Sequence, residues 1–106
     1  MNRYMRLLLM FDLPTVTKSD RKIAADFRKS LLDDGFVMIQ FSVYVRICRN
    51  QDDFHKHLRR VQSFVPVKGN VRILQITENQ YDTMRLLVGE KNRDEQYDAA
   101  PLIVIE

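Results

Sequence analysis

Asp12 is set into an otherwise apolar stretch: it ends the run from Met5 to Phe11, which only Arg6 interrupts, and Pro14 follows two residues later. A carboxylate in that position can ligate a hard cation at a strand end, or it can do no more than form a turn. One carboxylate makes a poor magnesium site, because that ion takes several oxygen ligands and keeps waters around one or two carboxylates. A twofold dimer would change the count by bringing two copies of Asp12 together.

Other side-chain types narrow the chemistry. At about 100° per residue, Lys18, Arg21, Lys22, Arg28 and Lys29 fall within an arc of ~120° opposite Ile23, Phe27 and Leu31. That arc is either a solvated helix surface or a ridge that contacts phosphates. His55 and His57 are two residues apart, so on a helix they diverge and cannot form the i, i+4 pair that chelates zinc; both are expected at the surface. Cys48 is the only cysteine. It excludes an internal disulfide, has no histidine near it in sequence to suggest a thiol nucleophile, and reads as a small core residue in a reducing compartment. Glycine-rich phosphate loops are absent.

The elements that must carry these residues follow from periodicity. Leu7 to Phe11 reads as a strand buried on both faces, ended near Pro14, which has no amide hydrogen to donate. Asp12 therefore lies at the strand's carboxyl end, where α/β sheets commonly place ligands. Thr17 with Asp20 opens a helix whose apolar positions are Ile23, Ala24, Phe27 and Leu31, and Gly35 stops it. Phe36 to Cys48 is rich in Phe, Val, Ile and Tyr and reads as two strands joined by a tight turn around Gln40 and Phe41. Asn50 with Asp53 opens a second helix with the stripe Phe54, Leu58, Val61 and Val65, and Pro66 forbids its continuation. Gly69 and Asn70 make a turn, Val71 to Thr77 a strand, Glu78 to Met84 a short turn or helix, and Arg85 to Val88 a short strand.

This order, strand, helix, strand, strand, helix, strand, predicts an α+β, ferredoxin-like fold: an antiparallel sheet with both helices on one face. The open sheet face would be a large apolar patch, so a second copy is expected to pack there. Residues 1–91 form the ferredoxin-like unit and 92–106 a tail within the same single domain. The tail passes through Pro101 into Leu102, Ile103, Val104 and Ile105, a segment that could finish its own sheet but is expected to pair as an edge strand with another subunit.

Size and charge agree with this picture. A chain of 106 residues, 45% hydrophobic and 29% charged, is one ordinary globular domain. So short a chain buries a modest fraction of its surface, which favours oligomerisation. Residues 1–50 carry nine Lys or Arg against five acids, and residues 51–106 carry eight against nine. A polyanion is therefore expected to dock on first-half elements. Leu7 to Phe11 is too short for a signal-peptide core or a membrane span, so a cytoplasmic location and no membrane partner are expected.

The ensemble Met10-Phe11-Asp12-Leu13-Pro14, Arg21, Gly35, Gln40-Phe41-Ser42-Val43-Tyr44, Lys68-Gly69-Asn70 and Ile76-Thr77-Glu78-Asn79-Gln80 resembles the small CRISPR-associated Cas-two proteins. The likeness covers nearly the whole chain, and the last two segments look most like members from type II systems. It implies a ferredoxin-like homodimer that joins the Cas-one integrase in capturing and inserting spacer DNA. The family is also described as metal-dependent endonucleases, including endoribonucleases. There the strand-end aspartate, matched by Asp12, comes from both subunits to bind Mg2+, and so is expected to be both metal ligand and catalytic residue.

Read as a phosphate-contacting ridge, Lys18, Arg21, Lys22, Arg28 and Lys29 are expected to contact nucleic acid, which the resemblance makes protospacer duplex DNA or single-stranded RNA. Ser42, Leu102, Ile103, Val104 and Ile105 are expected at the dimer or partner interface. Phe11 departs from the many members that have tyrosine before the aspartate, so any role of that hydroxyl is absent here. Two other readings use the same residues: an architectural DNA-holding adaptor that cuts nothing, and a ferredoxin-like RNA-binding or regulatory module.

Overall fold

A computed structural model of the protein describes residues 4–89 and the backbone of Ile103–Val104. Strand β1 (Met5–Asp12) lies between β3 (Val43–Cys48) and β4 (Asn70–Thr77), antiparallel to both, and β2 (Val37–Gln40) extends the sheet beyond β3. The order β2-β3-β1-β4 is that of the expected ferredoxin-like fold.

Local chemistry sets the boundaries of the helices. Helix α1 (Lys18–Asp33) begins with a full capping box, in which the Thr17 hydroxyl accepts from the Asp20 amide and the Asp20 carboxylate accepts from the Thr17 amide. It ends as Gly35, at φ +93°, lets the Gly35 and Phe36 amides turn back onto the Leu32 and Leu31 carbonyls. Helix α2 (Gln51–Phe64) is capped by the Asn50 side chain, which accepts from the Asp53 amide.

Both helices pack on the sheet face that carries Leu7, Leu9, Tyr44 and Cys48, forming one core with Ala24, Phe27, Leu31, Phe54 and Val61. Leu7 and Leu9 are fully buried, and each contributes about 2–3 kcal/mol through removal from water. The stripe of α2 differs from the sequence expectation. Val65 is outside the helix and exposed, whereas His57, expected at the surface, is fully buried between Phe54 and Val61. His55 is exposed as expected.

On the opposite face Leu8 pairs with Val45 and Leu74, and Met10 with Val43 and Arg72. Leu74 is 52% exposed there, so part of this apolar face has no cover among the described residues. The face is not wholly open, however. Helix α3 (Glu78–Asp82) folds over its far end, where the buried Arg6 guanidinium makes two bonds to the Glu78 carboxylate, at 2.9 and 2.7 Å, and lies 4.1 Å from the centre of the Tyr81 ring.

The segment after α3 is shorter as a strand than expected: β5 is Arg85–Leu86 alone. It pairs in parallel with β6 (Ile103–Val104) as a two-stranded ribbon separate from the main sheet. The tail strand, expected to pair with another subunit, thus pairs with its own chain. Leu102 and Ile105 lie outside the described residues, as does most of 92–106.

Candidate functional site

Strand β1 delivers Asp12 to one end of the sheet, and three neighbours fix that end. The Phe11 amide donates to the Ser42 carbonyl at 3.0 Å, so the turn between β2 and β3 braces the strand from one side. Ser42 holds φ +64° to make that turn, a left-handed conformation that costs a non-glycine residue about 1 kcal/mol. From the other side, Asn70 pairs with Asp12 across the β1–β4 ladder. Gly69, at φ +91°, comes so close that a Cβ there would sit 2.6 Å from the Asp12 carbonyl oxygen and 2.7 Å from the Leu13 side chain.

Alternation along β1 turns Asp12 to the face of Leu8 and Met10, away from the helices. Asp12 is exposed and, with Met10, Phe11, Asn70 and Arg72, lines a shallow depression of about 220 Å3. Its ionisable groups are one carboxylate and one guanidinium, and among the described residues neither is engaged in an ion pair or side-chain hydrogen bond. A larger concavity, about 660 Å3, lies along β4 and α3, lined by Tyr4, Gln75, Thr77, Glu78 and Asp82. Volume does not make it the better site, because the Glu78 carboxylate is committed to Arg6.

The donors at the strand end suit a hard cation. Asp12 and Asn70 offer carboxylate and amide oxygens, the ligand class of Mg2+. No group of three or more His, Cys, Asp or Glu converges among the described residues, and Asp12 is the one carboxylate among the described lining residues of this depression.

The departure at position 11 matters less than its sequence position implied. The Phe11 ring packs edge-on to Phe27 at 5.2 Å and stacks with Tyr44 at 5.8 Å, inside the core on the helix side. A hydroxyl on that ring would be directed away from the face that carries the Asp12 side chain.

The five basic residues of α1 do not form one free ridge. Lys18 is exposed, but Arg21 donates to the carbonyls of Thr15 and Val16, Lys22 pairs with Asp26 at 3.1 Å, and Lys29 lies 3.9 Å from Asp33. Arg28 is half-buried, with its charge beside the Tyr44 hydroxyl. Its azimuth adjoins that of Ala24, which explains why it turns to the core edge rather than to solvent.

At the other end of the sheet is a charged network that sequence reasoning missed. His57 Nδ1 donates to the Asp34 carboxylate at 2.8 Å, and the other Asp34 oxygen accepts from Arg60 at 2.9 Å. Arg46 Nε donates to the Asp34 carbonyl at 2.8 Å. His57 Nε2 is 3.4 Å from Asp53 Oδ1, close in charge terms but not a hydrogen bond. The Arg49 amide, above all, holds the Asp53 carboxyl down at about 2, with Lys56 and His57 adding to the effect against the opposing cost of burial. Burial pushes the Cys48 thiol up, as expected of a core thiol and not of a nucleophile. The signal for His57 was its spacing, three from Phe54 and four from Val61.

Comparison with known proteins follows the same residues. The family model described as CRISPR associated protein Cas2 matches residues 5–84, from the start of β1 to just beyond α3. A Flavobacterium psychrophilum protein named CRISPR-associated endoribonuclease Cas2 is 45% identical over 86% of this chain and 81% of its own length. Proteins of the same name from Ligilactobacillus salivarius and Acidovorax ebreus are 44% and 51% identical, over 95% and 80% of this chain and 100% and 83% of theirs.

Proposed function

The chain belongs to the CRISPR-associated Cas2 family, and on that footing we propose that it serves spacer acquisition as a cytoplasmic homodimer. In this reading it binds duplex DNA, joins the Cas-one integrase and carries a Mg2+-dependent endonuclease centre made of Asp12 from each protomer. The observation that carries the reading is the exposed Asp12 carboxylate at the end of β1, on the face away from the helices and unpaired among the described residues. Two such carboxylates meeting across a twofold axis supply the oxygen set that one chain lacks. The half-exposed Leu74 on the same face gives the second copy an apolar surface to cover.

The chain's own residues have three tasks in this chemistry. Asp12 holds the cation, Gly69 and Ser42 fix the strand end that presents it, and the neighbouring cationic groups hold the phosphodiester. Mg2+ supplies the Lewis acidity that activates water and offsets phosphate charge. In hydrolysis the water oxygen bonds to phosphorus as the bond to the leaving oxygen breaks; that oxygen takes one proton of the water, and the other remains with the new phosphate monoester or passes to solvent.

The architectural reading rests on the exposed Lys18, Arg21, Lys22 and Lys29. The surface ion pairs of Lys22 and Lys29 are worth only a few tenths of a kcal/mol and are readily exchanged for phosphate contacts. One variant separates the two readings. Asp12→Asn keeps the side chain's shape and should lower Mg2+-dependent cleavage of single-stranded RNA by about 100-fold or more, a few kcal/mol of transition-state stabilisation. Thermal midpoint and dimer mass should stay as in the wild type. Unchanged cleavage removes the catalytic assignment, and unchanged spacer integration beside lost cleavage leaves the architectural role as the one that matters for acquisition.

A further inference from the structure

We propose that Arg72 is the phosphate-positioning residue of the Asp12 centre. The proposal rests on the endonuclease reading above and adds to it a residue that lies outside the basic helix.

Register supplies the first argument. Asn70 is directly opposite Asp12, and Arg72 is opposite Met10, so Arg72 is the diagonal neighbour of Asp12 on the same sheet face. Diagonal neighbours stand about 7–8 Å apart at the backbone, a gap that a long side chain spans and a phosphate group fits. Both residues line the same depression of about 220 Å3, and Arg72 is the one cation among its lining residues.

Charge supplies the second argument. Exposed Asp12 and Arg72 share this depression without bonding each other or any other described side chain. Two Asp12 carboxylates and one Mg2+ sum to zero, so an arriving phosphodiester brings a negative charge that the metal centre does not cancel. A guanidinium answers that charge and offers two parallel N–H donors to two phosphate oxygens, a geometry that lysine does not supply. The basic residues of α1 are worse placed: that helix packs on the sheet face opposite the one that carries Asp12, and Arg21 already donates to the Thr15 and Val16 carbonyls.

The test uses the intact dimer and a short fluorescein-labelled single-stranded RNA. Binding is followed by anisotropy across a salt series, and cleavage kinetics are measured in Mg2+. Arg72→Ala should weaken binding about tenfold and flatten the plot of log affinity against log salt by about 0.7, the share of one phosphate contact on a single strand. KM should rise accordingly. Arg72→Lys should restore the salt slope but not the full cleavage rate, because it returns the charge without the fork. Arg59→Ala, which removes an exposed charge from α2, should leave slope and KM alone.

An unaltered slope and KM in Arg72→Ala overturns the proposal, and so does an equal effect from Arg59→Ala. A lower melting temperature that accounts for the lost binding overturns it as well, since the role would then be structural. Failure of the endonuclease reading looks different: Asp12→Asn would cleave as the wild type does, whatever Arg72→Ala shows in the salt series.

Discussion

Toward the amino end of β1, Asp34 is held by His57 and Arg60, Asp53 by the Arg49 amide and Lys56, and Arg6 by Glu78 and Tyr81, all within one chain. At the carboxyl end of the same strand Asp12 and Arg72 line one depression and engage no described side chain. The strand is continuous, its neighbours are the same two strands, and the charged residue types are similar. What differs is whether the fold itself provides the counter-charges. Where it does, the charges hold helices to the sheet; where it does not, they stay exposed to solvent and open to a ligand. On the proposed function, the contrast assigns chemistry to the Asp12 end and stability to the other.

Removing the Asp34 carboxylate gives the sharpest break of that contrast. Asp34→Ala leaves His57 fully buried with its Nδ1 unpaired and frees Arg60, so urea denaturation should show a loss of about 3 kcal/mol. Dimers that remain folded should keep the Asp12-dependent cleavage rate. A loss below about 1 kcal/mol would mean that the buried network does not hold the helices, and the division between the two ends would fall.

Gly69→Ala should come next. Its φ of +91° disfavours any side chain, and the Cβ would meet Asp12's own carbonyl oxygen and the Leu13 side chain. Destabilisation of about 2 kcal/mol is expected. Because the atoms displaced belong to Asp12, the proposed metal ligand, the folded fraction should also lose cleavage. Full activity per folded dimer would show that the placement of the strand end is looser than the close approach of Gly69 implies.

Much of the fold was legible because its signals are local. Thr17 with Asp20, Asn50 with Asp53 and Gly35 are cap chemistry, complete within a few residues, and each was read correctly. Asp12 was legible because a carboxylate ending an apolar run is conspicuous. The misreadings share one cause, dependence on partners distant in sequence. His57 reads as a surface residue in the sequence because its acceptor, Asp34, lies 23 residues away, at the cap of another helix. Arg28 falls on the outer arc of α1 by periodicity because Tyr44, the group beside it, lies on a strand. Arg72 went unnoticed because the Asn70–Thr77 segment does not reveal which face it shares with Asp12 until its register against β1 is known.

Acid provides the gentlest probe of the same contrast, through Asp53. The Arg49 amide bond, with help from Lys56 and His57, lowers this carboxyl from its ordinary 3.8 to about 2. A depressed carboxyl contributes its full stabilisation above its unfolded-state value and loses it as pH falls through the folded-state value. The contribution of Asp53 is therefore complete above about pH 4 and disappears progressively toward pH 2. Denaturation midpoints measured from pH 5 down to pH 2 should show the wild type's advantage over Asp53→Asn shrinking across that window. Parallel curves for the two proteins would mean that Asp53 ionises alike in the folded and unfolded chains. The network would then owe its strength to Asp34, His57 and Arg60 alone.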